Sequence, residues 1–207
     1  MTSLEETVER LQNEVARLRD REEIRRLFFV WSEAAGRCDW ETFRNCYHED
    51  AVVEAAWHRD IATRDEFVDW MKVYHSEIQQ TIFFNTNVLI EFTGQDLAFA
   101  ESHALALQRY TADARDARIG FLGPEYAHRE VETDVFFTGR YLDQVERRDG
   151  TWRLLRRETV FETIQGSEAR VALPHRSSGM VVSERDREDP LWAARDRLGL
   201  GPLENAR

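Results

Sequence analysis

The stretch Ile24–Trp57, IRRLFFVWSEAAGRCDWETFRNCYHEDAVVEAAW, decides how the chain folds. Apolar residues at Ile24, Leu27, Phe28, Trp31 and Ala35 recur at helical spacing and predict the buried stripe of an amphipathic helix. Gly36 is a poor helix-interior residue and a good C-terminal cap, and Asp39 can accept the free amide hydrogens of a second, short helix. That short helix carries Trp40, Phe43 and Tyr47 on one side. His48-Glu49-Asp50 reads as a polar, solvated turn, and Ala51–Trp57, short and rich in valine, reads as a buried strand. A long helix is therefore expected to pack over the start of a sheet.

On the N-terminal side, residues 1–20 form a regular extension. Thr2 with Glu5, or Ser3 with Glu6, can make a capping box, after which Leu4, Val8, Leu11, Val15 and Leu18 alternate four and three apart. This is a heptad strip of about two and a half repeats, suited either to lying on its own domain or to meeting another subunit. On the C-terminal side, Thr63 and Glu66 announce a third helix with Phe67, Trp70, Met71, Tyr74 and Ile78 as its stripe, and with His75 off it. Two long strands follow from Thr81 to Tyr110, then a loop over Thr111–His128 long enough to be a lid or interface flap. Two more strands, Val131–Val145 and Trp152–Ile164, meet at Asp149-Gly150, a strong hairpin signal. The expected fold is α+β: a cone-shaped, curved, largely antiparallel sheet covered by three helices, with the helical extension 1–20, the domain 21–165 and an irregular tail 166–207. In that tail the charged run Glu184–Asp189 reads as a solvated loop or wrapping arm, and Leu191 and Trp192 are candidates to tuck onto a neighbouring subunit.

The 207 residues suffice for one domain with a sizeable core. Interspersed charges, 28 basic against 39 acidic for a net −11, argue against nucleic acid or an anionic membrane surface as partner. The two cysteines, Cys38 and Cys46, make neither a disulfide framework nor a metal-ligand spacing, and no cofactor motif is present. A cytoplasmic location and homo-oligomeric assembly, as dimer or trimer, are expected, because apolar strips on an acidic protein need covering.

The run CDWETF followed by YHEDAVV resembles the opening of the SnoaL-like branch of the nuclear-transport-factor-2-like superfamily. The likeness continues through TNVLIEF at Thr86–Phe92 and GRYLDQVERRDGTWRLLRR at Gly139–Arg157, and so covers about residues 20–165. It implies dehydratase-like or isomerase-like chemistry in a cone-shaped pocket, where an aspartate orients a histidine that removes a proton. Carried onto this chain, the aspartate's place falls at Gly36 and the histidine's at Phe83, so both halves of the dyad are missing. A tyrosine or lysine place is taken by Trp31, and an arginine on the last strand is kept as Arg157.

With the family register, alternation along the strands assigns the cone interior. The lining then consists of Trp31, Gly36, Val53, Trp57, Phe83, Ala104, Ala106, Phe137, Thr159 and Phe161 as ligand-binding residues, with Tyr141 and Arg157 as acid and electrostatic stabiliser. Glu101, His103, Glu158 and Glu162 point outward. A lone inward Arg157 is costly to bury and asks for an anion or carbonyl partner. The expected ligand is a hydrophobic cyclic small molecule bearing an acid or carbonyl group, bound by a diverged lyase or isomerase. The alternative is a non-catalytic binding or assembly subunit similar to the β chain of ring-hydroxylating dioxygenases.

Overall fold

The computed structural model describes residues 3–55, 58–115, 120, 122–126 and 130–204. Its longest helix, α1 (Leu4–Gly36), runs unbroken through the extension and the first domain helix. Ser3 caps it in a reciprocal box: Glu6 N donates to Ser3 Oγ at 3.1 Å and Ser3 N donates to Glu6 Oε2 at 2.8 Å. Arg37 ends the helix, Cys38 turns the chain at φ 55°, and Asp39 caps α2 (Trp40–Asn45) by accepting from the Thr42 amide.

The strand that follows begins earlier than its composition suggests. β1 (Tyr47–Ala55) already includes Tyr47 and His48. His48 is buried, not solvated, and its Nε2 lies 2.9 Å from the Glu146 carbonyl. A strand that the sequence pattern did not reveal, β2 (His58–Thr63), turns back antiparallel on β1, and Thr63 and Glu66 then cap α3 (Arg64–Ser76). Trp57 lies outside the described residues, as does much of the Thr111–His128 segment.

The remaining strands are β3 (Ile78–Phe92), β4 (Leu97–Tyr110), β5 (Thr133–Arg148) and β6 (Thr151–Glu168). The sheet order is β2-β1-β6-β5-β4-β3, with β1–β6 the parallel pair and all other neighbours antiparallel. Asp149 and Gly150, both at positive φ, close the β5–β6 hairpin as a two-residue loop whose twist matches its strands. Gly139 sits at a register shift between these strands, where a β-carbon would come within 2.2 Å of the Val160 carbonyl oxygen. Only glycine fits there.

Alternation is clean along the inner face. Residues 98, 100, 102, 104, 106, 108 and 110 of β4 are buried, as are 135, 137, 139, 141, 143 and 145 of β5. α1 crosses this face and is tied to β3 by Asn85, whose Nδ2 donates to the Phe28 carbonyl and to Ser32 Oγ at 2.8 Å. Glu101 and His103 face outward as expected, Glu101 pairing with Arg140 and His103 with Asn87.

The tail is an arm that touches its own chain at a few points, while most of it, Asp186–Glu188 of the charged run included, stays exposed as expected. Asp189 caps a fourth helix, α4 (Pro190–Arg197), with Pro190 at its first turn. Trp192 and Leu203 are buried, and Trp192 Nε1 donates to the Asp186 carbonyl. No helix among the described residues is long and apolar enough to cross a membrane.

Candidate functional site

Three layers meet in the cone: Trp31 from α1, the aromatic face of α3, and the inward residues of β3 to β6. Trp31 lies 5.3 Å from both Phe43 and Tyr141 and 5.8 Å from Phe83, ring centre to ring centre. Phe137 bridges Phe83 at 6.4 Å and Phe161 at 5.4 Å. These tilted and edge-on contacts suit the ring quadrupoles and give a closely filled interior.

Arg157 lies at the centre of that interior and is not alone. Its Nε and Nη2 donate to Asp143 Oδ1 and Oδ2, both at 2.7 Å, and both side chains are almost wholly buried. The guanidinium also lies 4.3 Å from the Trp31 ring centre and 4.1 Å from that of Tyr141. The expectation that Arg157 lacks an internal counter-charge is therefore corrected. Asp143 was legible, since it lies two residues beyond inward-facing Tyr141. The strand's alternation would have placed it beside Arg157 once β5 and β6 were paired. Arg157 Nη1 is nevertheless buried without a hydrogen-bond partner among the described residues.

Beside this pair is a cavity of about 40 Å³. Trp31, Phe83, Phe137, Tyr141, Arg157, Thr159 and Phe161 line it, together with Phe67, Trp70, Met71 and Tyr74 of α3 and Gln108 of β4. Among the described residues, no carboxylate or imidazole is in that lining. Burial pushes the Tyr141 hydroxyl up to about 12, against the opposing pull of Arg157, so it stays a proton donor near neutral pH. Tyr74, Tyr110 and Gln108 form a second polar group at the rim, with both phenols donating to Gln108 Oε1 at 2.8 Å. Burial raises Tyr74 and Tyr110 as well.

Four sequence-assigned lining residues lie away from the cavity. Val53 is buried on β1 beside Arg157 in the parallel register, and Phe43, Tyr47 and Phe67 fill the space near it with mutual ring contacts. Ala106 is flanked in register by Phe83 and Phe137, whose rings meet across it, and Ala104 lies between Asn85 and Gly139. Ala106 thus accommodates the neighbouring rings, and neither alanine lines the cavity. Gly36 opens onto a separate groove of about 740 Å³ between the start of β3 and the tail.

The two expected dyad places are occupied differently. Against Phe83 stacks the ring of His75, at 6.0 Å and 16° between planes. Beside Gly36 comes Arg185 of the tail, which donates to the Gly36, His75 and Ile78 carbonyls, to Cys38 Sγ, and to His75 Nδ1 at 2.6 Å. Burial and the adjacent Arg185 hold His75 well below the usual histidine range, so its ring is neutral. The apolar stripe of α3 could have revealed it, since His75 stands four residues after Met71 and eight after Phe67.

A family model for the SnoaL-like domain matches residues 16–158. The chain belongs to that family. Among solved structures, this SnoaL-like chain resembles a provisionally assigned scytalone dehydratase from Novosphingobium aromaticivorans, with 26% identity and a TM-score of 0.60 over 76% of this chain and 94% of that one. It also shares the fold of a hexachlorocyclohexane dehydrochlorinase from Novosphingobium barchaimii, at 17% identity and a TM-score of 0.61 over 78% and 99% of the two chains. A provisionally assigned aromatic ring hydroxylase from Novosphingobium aromaticivorans has the fold too, at 16% identity and a TM-score of 0.57 over 72% and 94%. Comparison with curated proteins finds no match. The cone, its mixed sheet and the covering helices are those of the family.

Proposed function

We propose that this SnoaL-like domain binds a small hydrophobic cyclic compound in the cone, and that the compound is a neutral ketone rather than an acid. The observation that carries this reading is Arg157 Nη1, a buried donor without a partner among the described residues, on a guanidinium whose charge Asp143 already balances. An uncharged oxygen can accept from Nη1. A carboxylate would place a second anion against a pair that is already neutral, at a desolvation cost with little Coulomb return.

A volume of about 40 Å³ holds a water molecule, not a ring. Ligand entry therefore requires the α3 wall of Phe67, Trp70 and Met71 to move away from the sheet. With Tyr141 protonated and Asp143 engaged by Arg157, the lining offers a hydrogen-bond donor and a fixed dipole but, among the described residues, no general base. That supports a diverged, dyad-free site in which polarisation of a carbonyl is the available chemistry.

The test is a calorimetric titration of wild type and Trp70→Ala with an aromatic ketone and with the carboxylate of matching shape, beside a turnover assay for proton-abstraction chemistry on the same ketone. Ketone binding that is tighter than carboxylate binding, strengthened in Trp70→Ala and without turnover, is the expected result. Preference for the carboxylate would overturn the ligand class. The near-filled cone favours one second reading, a non-catalytic assembly subunit whose aromatics are simply core, and absence of binding by both proteins would select it.

A further inference from the structure

The N-terminal half of α1 presents an apolar face that its own domain does not use. Leu4 is 79% exposed, Val8 44%, Leu11 47%, Val15 46% and Leu18 65%, while the residues of the same helix that enter the core begin at Asp20 and Ile24. At 3.6 residues per turn the strip lies about half a turn away from the stripe of Ile24, Leu27, Phe28 and Trp31 that faces the sheet. The extension touches its own domain through Arg17 and Asp20, on the other side of the helix, and the apolar strip is left uncovered.

We propose that this strip is the interface for a second copy of the chain, forming a short parallel two-stranded coiled coil. Three observations select that occupant. The first is the seam itself: in heptad register the a positions are Val8 and Val15 and the d positions are Leu4, Leu11 and Leu18, and a β-branched residue at a with leucine at d favours two parallel strands. The second is charge. In the parallel register the g position Glu14 of one copy faces the e position Arg19 of the other, and symmetry makes the contact twice. In the free chain Glu14 pairs with Arg10 on its own surface, both side chains being more than half exposed, so exchanging that partner costs little. The third is geometry. Since the seam faces away from the cone, two domains would sit on opposite outer sides of the paired helices without obstructing each other.

The experiment is sedimentation equilibrium of the full chain over a concentration series, with wild type, Val15→Asp, Glu14→Arg, Arg19→Glu and the Glu14→Arg/Arg19→Glu double variant. Wild type should dimerise reversibly and Val15→Asp should remain monomeric, with circular dichroism showing the fold retained. Each single charge reversal should weaken the dimer by roughly fivefold, and the double variant should recover it. Orientation is read by oxidising Leu4→Cys, which joins the two copies in a parallel pair and leaves them separate in an antiparallel one, with wild type as the control for Cys38 and Cys46. A wild type that is monomeric throughout, or an oligomer indifferent to Val15→Asp, would overturn the interface. Failure of Leu4→Cys to cross-link while Leu11→Cys does so would overturn the parallel arrangement. None of these variants touches the cone, so this result is independent of ligand binding.

Discussion

Arg157 and Asp143 show how a buried ion pair constrains its neighbourhood. Two contacts of 2.7 Å satisfy two guanidinium nitrogens and both carboxylate oxygens, and the flat faces of Trp31 and Tyr141 flank the guanidinium carbon. Burial pushes the Asp143 carboxyl up while Arg157 pulls it down, and the pair survives because each group is the other's solvent. Removing one member is expected to be far worse than removing both. Asp143→Leu or Arg157→Met alone should destabilise by about 3–5 kcal/mol, since each strands a buried charge, whereas the two together should cost much less. Urea unfolding of the two single variants and the double closes this cycle. Additive losses would mean that the pair is not coupled in the way its geometry requires.

At the scale of elements, the tail performs a task that its composition conceals. α1 and α3 end close together, and the terminal carbonyls of a helix need donors from elsewhere. Arg185 reaches the Gly36, His75 and Ile78 carbonyls, so one guanidinium caps the end of α1 and joins the end of α3 to the start of β3. A cation at a helix C-terminus is also favoured by the helix dipole. Arg185→Ala should therefore lower stability by about 3 kcal/mol through several lost charge-assisted bonds. Arg185→Lys should recover only part of it, because a single ammonium cannot span the acceptors that the planar fork reaches. Thermal unfolding of the two variants tests this, and a neutral Arg185→Ala would show that the tail docks without contributing.

For the whole molecule, two buried imidazoles contribute to the loss of stability in acid. Burial lowers the pKa of both His75 and His48, so the folded state resists protonation that the unfolded chain accepts below its ordinary value of about 6.5. The unfolded state then binds more protons, and stability is retained above that pH and lost as pH falls below it. Each histidine should contribute a slope of up to about 1.4 kcal/mol per pH unit on the acid side. His75→Asn, which keeps an acceptor for Arg185, should reduce that slope. Urea unfolding at a series of pH values between neutrality and mild acid provides the comparison. An unchanged slope would mean that His75 is protonated in the folded protein.

Local pattern carried most of the architecture. Helical spacing in Ile24–Ala35, the capping boxes at Ser3 and Thr63, and Asp149-Gly150 between alternating runs each state a backbone preference that short-range sterics and hydrogen bonding enforce. Alternation, once the family register set which face is inward, placed Phe83, Phe137, Tyr141, Arg157, Thr159 and Phe161 together, and all of them line the cavity. What those residues meet was decided by tertiary structure. Strand pairing brings Asp143 to Arg157, helix packing buries His75 against Phe83, and the tail carries Arg185 across more than a hundred residues to the ends of two helices. A side chain's facing direction is local and periodic. Its partner depends on the closure of long loops, which no periodicity within an element records.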